Sequence, residues 1–363
     1  MLKIKDMKGQ RRASWYDSPD GHPGKGTMSA EDQLTQAVEN AITVGASTLV
    51  CELHRRAPSM ISEHRKVRKG FESRLAHRRK AAFALFEMIL VSAVESVQEF
   101  DQKNRGEAKA NNDRTFEALL LLSIRACRTA SEILALLRAG HADGALARWR
   151  TMYELAVIAF FVSRNKQDTA ERYLMHRFIE KYEAAKEYQL HCFKLNQEPL
   201  SAEEVGRLTA FRDCLLDKYG QRFSGRYGWA HAAVLEADSQ FREKDQVTFG
   251  NLERSCDLKH FRPYYRFACQ KVHAGAQGDY ESLGVIDGSD VQLIGASNTG
   301  FADPGQNTCI SLVQVVTSLL AHKPDPLNLI AAQALRLLSG EACGEFLRIQ
   351  KKIEEEAAEE GQT

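Results

Sequence analysis

TFEALLLLSIRACRTASEILALLRAG (residues 115–140) and its neighbour DGALARWRTMYELAVIAFFVSR (residues 143–164) carry clear helical patterns in this 363-residue chain. In both stretches apolar residues recur at spacings of three and four, which is typical of α-helices that bury one face. We expect Gly140 to close the first helix and Asp143 to cap the start of the second. Because so short a connection joins neighbouring helices, the sequence predicts an antiparallel helix hairpin.

The same spacing continues through most of the chain. SAED at residues 29–32 fits a capping box that opens an N-terminal helix. Further helices are predicted at 168–195, 201–219, 262–274, 306–321 and 326–352. Residues 283–301 instead contain two short β-type runs around Asp287 and Gly288, which predict a small hairpin or an irregular loop. The predicted fold class is therefore all-α, a multi-helix bundle with this one insertion.

Changes in composition divide the chain into four parts. Residues 1–28 are rich in glycine and proline and are expected to be flexible. Residues 29–100 form N-terminal helices with a basic stretch, and a polar break follows them. The main helical domain is predicted at residues 115–352, ahead of an acidic tail at residues 353–363.

Composition also limits the class of protein. The chain is 44% hydrophobic and 27% charged, as in ordinary folded, soluble proteins. The longest apolar candidate, LAVIAFFV at residues 155–162, is too short for a membrane span, and the N-terminus lacks the apolar core of a secretory signal. Eight scattered cysteines without a C-x-x-C pair argue against disulfides and zinc. We expect a cytoplasmic protein with no membrane partner and no cofactor.

A basic stretch lies between Arg55 and Lys80, where ten Lys and Arg residues stand against two Glu residues. Such a run is explained by a solvated helix face, or by contact with nucleic acid or another polyanion, since bound cations release counterions from phosphates. Its only aromatic residue is Phe71, so stacking on bases is not indicated. The candidate nucleic-acid-binding residues are Arg65, Lys66, Arg68, Lys69, Arg78 and Arg79.

Two features suggest specific polar chemistry on helices, and a third does not. Arg150 and Glu154 stand at i and i+4 in a helix that is apolar nearly all round. A buried ion pair seldom repays its desolvation, so this pair is either a structural network or part of a site. His176 and Glu180 have the same spacing, but their charged neighbours indicate a solvated face, and no metal site is predicted.

The stretch FRPYYRFACQKVHAG (residues 261–275) predicts a short helix with an apolar stripe facing the core. With a step of about 100° per residue, Arg266 and His273 lie within about 20° of each other on the flank of that stripe. Pro263 suits the first turn, and Gly275 suits a left-handed cap at the end. The two side chains are either tools for handling a phosphate, or a solvated flank and a helix-end histidine bonded to a carbonyl.

Two of these segments carry a family resemblance. ALARWRTMYELAVIAFFV (residues 145–162) followed by YYRFACQKVHAG (residues 264–275) is similar to an uncharacterised bacterial family known only as a domain of unknown function, number 5677. The likeness extends over roughly residues 115–350. It implies an all-α domain and no established activity.

The chain also resembles, more loosely, the HEPN domains, helical bundles of which many are metal-independent ribonucleases of toxin and antiviral systems. Their Arg-x(4–6)-His motif corresponds here to Arg266 and His273, although Phe267 replaces the polar residue that usually follows the arginine. The resemblance implies that Arg266 neutralises the scissile phosphate of RNA and that His273 transfers protons. In this interpretation Arg150 and Glu154 orient the site, and two copies pair across a symmetric cleft as a homodimer.

The alternative is a non-catalytic binding or assembly module. Arg150, Glu154 and His273 would then form a buried polar network, and the basic N-terminal helices would engage a partner. The two interpretations differ in what they require of two side chains. A nuclease needs Arg266 and His273 accessible to solvent and paired across a symmetric cleft, whereas a scaffold needs them bonded internally.

Overall fold

The computed structural model describes residues 29–285 and 292–360. It is 81% helical, with twelve α-helices and, within the described residues, no strand. The predicted all-α, multi-helix bundle is therefore confirmed. The segment 1–28, predicted to be flexible, lies outside the described residues.

The helices follow one another closely along the chain, with short 3₁₀ turns at 221–224, 228–230 and 259–261. They are α1 (Ala30–Arg78), α2 (Lys80–Ala110), α3 (Arg114–Arg138), α4 (Ala142–Arg164), α5 (Gln167–His191), α6 (Ala202–Tyr219), α7 (His231–Ala237), α8 (Phe249–Ser255), α9 (Arg262–Gln270), α10 (Ala276–Tyr280), α11 (Ala302–Leu320) and α12 (Pro326–Glu360).

The chain divides into two compact units, residues 1–68 and residues 69–363. In the first unit α1 opens with the expected capping box, in which Ser29 Oγ accepts from the Asp32 backbone N–H at 3.1 Å and the Asp32 carboxylate accepts from Ser29. From residue 30 to residue 68 no side chain is buried. The domain limits drawn from composition remain predictions.

The helix hairpin of the second unit is confirmed. Only residues 139–141 separate α3 from α4, and Gly140 adopts φ +88°, the left-handed conformation that favours glycine. The helices run antiparallel, since the Arg148 guanidinium pairs with Glu132 while Gly144 lies beside Leu136. The prediction for Asp143 is wrong: α4 already begins at Ala142, so Asp143 lies inside the first turn.

The core of the second unit forms where α11 packs on this hairpin. Trp149 of α4 is fully buried, and its indole N–H donates to Asn307 O at 3.0 Å and Ser311 Oγ at 3.1 Å on α11. A buried indole needs such a partner, which fixes the register of the two helices. The remaining sides of α11 are covered by α2 and α12.

Helix α2 continues through the polar segment that follows residue 100 and ends at Ala110. Its length and apolar content would also allow it to cross a membrane. Core helices share those properties, and the buried Phe86 of α2 packs edge-on against Phe346 of α12 at 6.5 Å between ring centroids. Its composition is therefore weak evidence for a membrane segment.

Two local predictions concern α9 and the insertion that follows it. The helix predicted at 262–274 ends early, at Gln270, and Gly275 has φ −92°, so the left-handed cap predicted there is wrong. In the insertion at 283–301, the described residues 283–285 and 292–301 form turns and bends without a strand. The tip of the predicted hairpin lies outside the described residues.

Candidate functional site

Helix α9 is the platform that carries Arg266. Its predicted apolar stripe is confirmed in part: Tyr265 and Ala268 are buried while Arg266 is exposed, but Val272 at the end of the stripe is 47% exposed. The ring of Tyr265 packs on that of Tyr153 of α4, with centroids 5.5 Å apart. Pro263 occupies the first turn, where a missing backbone N–H costs nothing.

A polar network lies beneath this platform and contains the predicted pair. Arg150 Nη2 is 3.0 Å from Glu154 Oε1, and both side chains are about one-fifth exposed, at 19% and 21%. The Tyr265 hydroxyl donates to Glu154 at 2.7 Å and lies 3.0 Å from Arg150 Nη2, while Arg150 Nε donates to Cys269 Sγ at 3.1 Å. Burial, and then the Glu154 carboxylate, raise the pKa of Tyr265, so its hydroxyl stays a donor. The predicted proximity of Arg150 and Glu154 is confirmed.

A second network anchors the start of α9. Glu253 of α8 is 1% exposed, forms an ion pair with Arg262, and accepts from the Tyr153 hydroxyl at 3.1 Å. Burial raises the pKa of Glu253, and the neighbouring guanidinium opposes that shift. Tyr153 also lies 2.8 Å from Leu258 O. The two networks together join α9 to α4 and α8.

The segment after α9 is held from the other side. The buried amine of Lys271 lies 3.3 Å from Asp143 Oδ1 of α4 and donates to Glu281 O. Asp143 also accepts from Ser282 Oγ at 2.7 Å and from the Leu283 backbone N–H at 3.1 Å. Asp143 therefore joins α4 to the chain after α9 instead of capping its own helix.

Arg266 and His273 point away from these anchors. Both are exposed, and among the described residues neither side chain makes a hydrogen bond or ion pair. Arg266 lines a shallow concavity of about 500 Å³ together with Lys259, Arg262, Gln270 and the acidic Glu281. Because α9 ends at Gln270, His273 lies in the turn beyond it, and the helical angle that placed it on the face of Arg266 does not apply.

The polar network around Arg150 contains other residues than the network predicted for a scaffold. It contains Arg150 and Glu154, but Tyr265 and Cys269 take the place of His273. Tyr265 and Cys269 lie on the stripe that the spacing in residues 261–275 predicts to be apolar. A buried tyrosine usually needs a partner for its hydroxyl, and this is the signal in the sequence that could identify Tyr265. Glu253 carries no comparable signal, because its partners are distant in sequence.

The candidate nucleic-acid-binding residues on α1 and after it divide into two kinds. Arg65, Lys66, Arg68 and Lys69 are exposed, and Arg78 is exposed but paired with Glu356. Arg79 contradicts the prediction, since it is completely buried, stacks on Phe301 at 3.9 Å from the ring centroid and donates to Asn298 O. Burial and the neighbouring Arg78 lower the pKa of Arg79 to about 9. Arg79 has no surface from which to contact RNA.

A groove of about 360 Å³ that is lined in part by Glu154 is also charged. Its lining includes Arg125, Arg177, Arg226, His176 and Glu180. The solvated face expected for His176 is wrong: the ring is buried, with Nε2 at 2.9 Å from Gly225 O and Nδ1 at 3.5 Å from Glu180. The hydrogen bond from His176 lowers the pKa of Glu180. Both ring nitrogens therefore face protein acceptors.

A larger cavity, of about 700 Å³, lies between residues 280–285, the start of α11 and the end of α12. Its charged lining residues are all acidic: Glu281, Asp303 and Glu354. Burial raises the pKa of Asp303. A phosphate would be repelled by this lining. The α9 concavity, with three cations against Glu281, is the better anion site of these two.

Comparison with known proteins finds a similarity to one family and indicates no activity. Residues 116–290 match the model of a family of unknown function, DUF5677. The matched region includes Arg150, Glu154, Arg266 and His273 and supports the resemblance to this family, but it ends at residue 290 and not near residue 350 as predicted. No curated protein and no solved structure matches the chain.

Proposed function

We propose that this protein binds RNA on the outward face of α9 and cleaves it without a metal ion, as an HEPN-like ribonuclease. The observation that carries the proposal is that Arg266 and His273 are exposed and have no hydrogen bond or ion pair within the described residues. A structural role would instead bond these side chains within the protein. Accessibility is one of the two properties that a nuclease requires, and pairing across a symmetric cleft is the other.

The basic character of the surface around Arg266 suits a phosphodiester. Lys259 and Arg266 line the same concavity as the carboxylate of Glu281, and Arg262 also lines it but forms an ion pair with Glu253. Unpaired guanidinium and ammonium groups bind phosphate oxygens by charge-assisted hydrogen bonds. RNA would therefore lie across α9 with a phosphate at Arg266.

In the proposed reaction the 2′-hydroxyl oxygen attacks the adjacent phosphorus while the bond to the 5′ oxygen breaks. The products are a 2′,3′-cyclic phosphate and a free 5′-hydroxyl, and the proton lost by the 2′-hydroxyl balances the one gained by the leaving oxygen. Arg266 would neutralise the charge that grows on the phosphate. His273 would take the first proton or deliver the second. Arg150 and Glu154 would act through Tyr265, by holding α9 in place.

The proposal extends to a bacterial, cytoplasmic setting such as stress or phage defence, which rests on the family likenesses alone. A second candidate is a non-catalytic binding module. It is favoured by the completeness of the network around Arg150 and Glu154, whose polar atoms bond to each other and to Tyr265 and Cys269.

The test is incubation of purified protein with end-labelled RNA in EDTA. We expect cleavage by the parent, loss of cleavage in His273→Ala, and weaker binding with a shallower salt dependence in Arg266→Ala. His260→Ala and Arg222→Ala are matched controls, since both residues are exposed and lie outside the concavity. Each variant is checked by far-UV circular dichroism, because an exposed side chain without partners should not alter the fold.

The outcomes separate the candidates. If Arg266→Ala and His273→Ala bind and process RNA like the parent, the ribonuclease proposal fails. Binding that depends on Arg266 without any cleavage would favour the non-catalytic module. Cleavage that disappears in EDTA would contradict the metal-independent mechanism.

A further inference from the structure

The part of α1 between residues 30 and 68 has an apolar stripe that nothing in the described residues covers. Seven large apolar side chains on it are between 46% and 67% exposed. They are Leu34, Val38, Ile42, Leu49, Leu53, Met60 and Val67. With a step of about 100° per residue, all seven fall within an arc of about 100°, which also contains the charged Glu52, Arg56 and Glu63. The arc is free of charged residues from Leu34 to Leu49, and an exposed apolar face of this length marks a contact surface.

The sequence of α1 is poorly suited to a helix that stands alone. Pro58 lies in its interior and removes a backbone hydrogen bond, while β-branched residues such as Thr43, Val44 and Thr48 disfavour helix. Helices in proteins owe most of their stability to the packing of an apolar face against the rest of the structure. Pro58 lies about 240° from Leu34, on the side away from the stripe, so its ring does not project into the stripe. The stripe should therefore have a partner.

The charges of α1 identify that partner. Residues 30–54 contain four carboxylates and no Lys or Arg, whereas residues 55–68 contain five Lys or Arg and one Glu. Two copies of such a helix repel each other when they are parallel, since like ends meet. When they are antiparallel, each acidic half lies along a basic half.

We propose that α1 is a dimerisation helix, whose stripe pairs antiparallel with the stripe of a second copy of this chain. The proposal does not depend on RNA binding, because it uses no residue of α9. Centred near Leu49, the pairing places Asp32 about level with Lys66 of the second copy. It also sets the small residues Gly45 and Ala46 opposite Leu53 of that copy, so the two backbones can approach closely there.

The first test is the mass of the full chain, by light scattering after gel filtration. We expect twice the chain mass of 40.7 kDa for the parent and the single chain mass for Leu49→Asp, which puts a charge in the stripe. Val44→Asp is the matched control, since Val44 is 66% exposed but lies about 140° from Leu49 around the helix. It should leave the dimer intact.

The second test is orientation, read from the distance between spin labels on Gln36→Cys, with the exposed Cys51 and Cys214 changed to serine. Antiparallel pairing centred at Leu49 separates the two labelled positions by about 26 residues, or about 39 Å along the axis. Parallel pairing brings the labels to about 10 Å, the separation of packed helices.

Three results would overturn the proposal. They are a monomeric parent, a dimer that Leu49→Asp leaves unchanged, and a short distance between the labels. A dimer that forms only in the presence of RNA, and dissociates on nuclease treatment, would assign the helix to polyanion binding instead. RNA cleavage assays on Leu49→Asp keep this outcome distinguishable from failure of the proposed function.

Discussion

Two substitutions of the buried Glu253 should show how much its hydrogen bonds and how much its negative charge contribute to the free energy of unfolding. Glu253 joins α8 to α9 through Arg262 and to α4 through Tyr153. Glu253→Ala removes the acceptor for both, whereas Glu253→Gln keeps an oxygen for Arg262. The amide N–H of the glutamine can donate to the Tyr153 hydroxyl, whose own proton goes to Leu258 O at 2.8 Å.

The expected magnitudes follow from burial. Loss of one partner of a buried ion pair costs about 3 to 5 kcal/mol. The Arg262 side chain is 34% exposed and can be hydrated once its partner is gone. We therefore place Glu253→Ala at the lower end, about 3 kcal/mol. Glu253→Gln should lie within about 1 kcal/mol of the parent near neutral pH, because its hydrogen bonds are kept and no charge is buried.

The two proteins should also differ in pH dependence, with a defined sign. Burial raises the pKa of Glu253 in the folded state, so between the unfolded pKa and the folded pKa the native protein binds more protons. The contribution of Glu253 to stability is therefore fully present below the unfolded value and is lost as pH rises through the folded pKa. Glutamine does not titrate, so the stability of Glu253→Gln relative to that of the parent should increase as pH rises from about 4.

Urea unfolding followed by circular dichroism, between about pH 4 and about pH 8, gives both quantities from the midpoints and slopes. A Glu253→Gln protein as unstable as Glu253→Ala near neutral pH would show that the charge itself is needed. A difference that instead grows in favour of the parent as pH rises would show that Arg262 outweighs burial. Either result would refute the direction assigned to the pKa of Glu253.

Two further predictions concern stability. Glu154→Ala should lower the free energy of unfolding by about 2 kcal/mol. The loss is smaller than for a fully buried pair, because Arg150 and Glu154 retain contact with water. A melting temperature equal to that of the exposed control Glu243→Ala would refute the network. Gly140→Ala should cost about 2 kcal/mol or more, because φ is +88° and a Cβ would lie 2.7 Å from the Phe71 ring. Gly206→Ala, in α6 with nothing within 4 Å, should instead stabilise by about 0.5 to 1 kcal/mol, and equal effects at both glycines would contradict this reasoning.

The hairpin of α3 and α4 could be predicted because its signals are local. Apolar spacing defines each helix, and Gly140 supplies the one conformation that ends the first. The same local patterns located α9 and the Arg150–Glu154 pair. Asp143 was misassigned because an aspartate near a helix start usually caps it, whereas this one binds Lys271 and Ser282, far along the chain.

The end of α9 could not be read from periodicity for a similar reason. The apolar spacing continues to Val272, but the chain turns after Gln270 and places Gly278 against the Gln270 carbonyl. A Cβ at residue 278 would lie only 2.5 Å from that oxygen, so the turn requires glycine there. Lys271 is drawn to Asp143 by the same turn. These contacts join residues distant in sequence, and a helical period contains no information about them.

The arrangement around α9 separates two kinds of charged residue by their surroundings. Arg150, Arg262 and Lys271 are each matched by a carboxylate inside the protein, and each fixes the position of the segment between residues 262 and 283. Arg266 lies on the same short segment and has no carboxylate partner among residues 29–285 and 292–360. Because each of the other three cations has an internal partner, the charge of Arg266 is available to an outside anion. The three ion pairs also restrict the motion of the segment that carries Arg266. A rigid segment with one free guanidinium is what a phosphate site requires, since a charge held in place loses less entropy on binding.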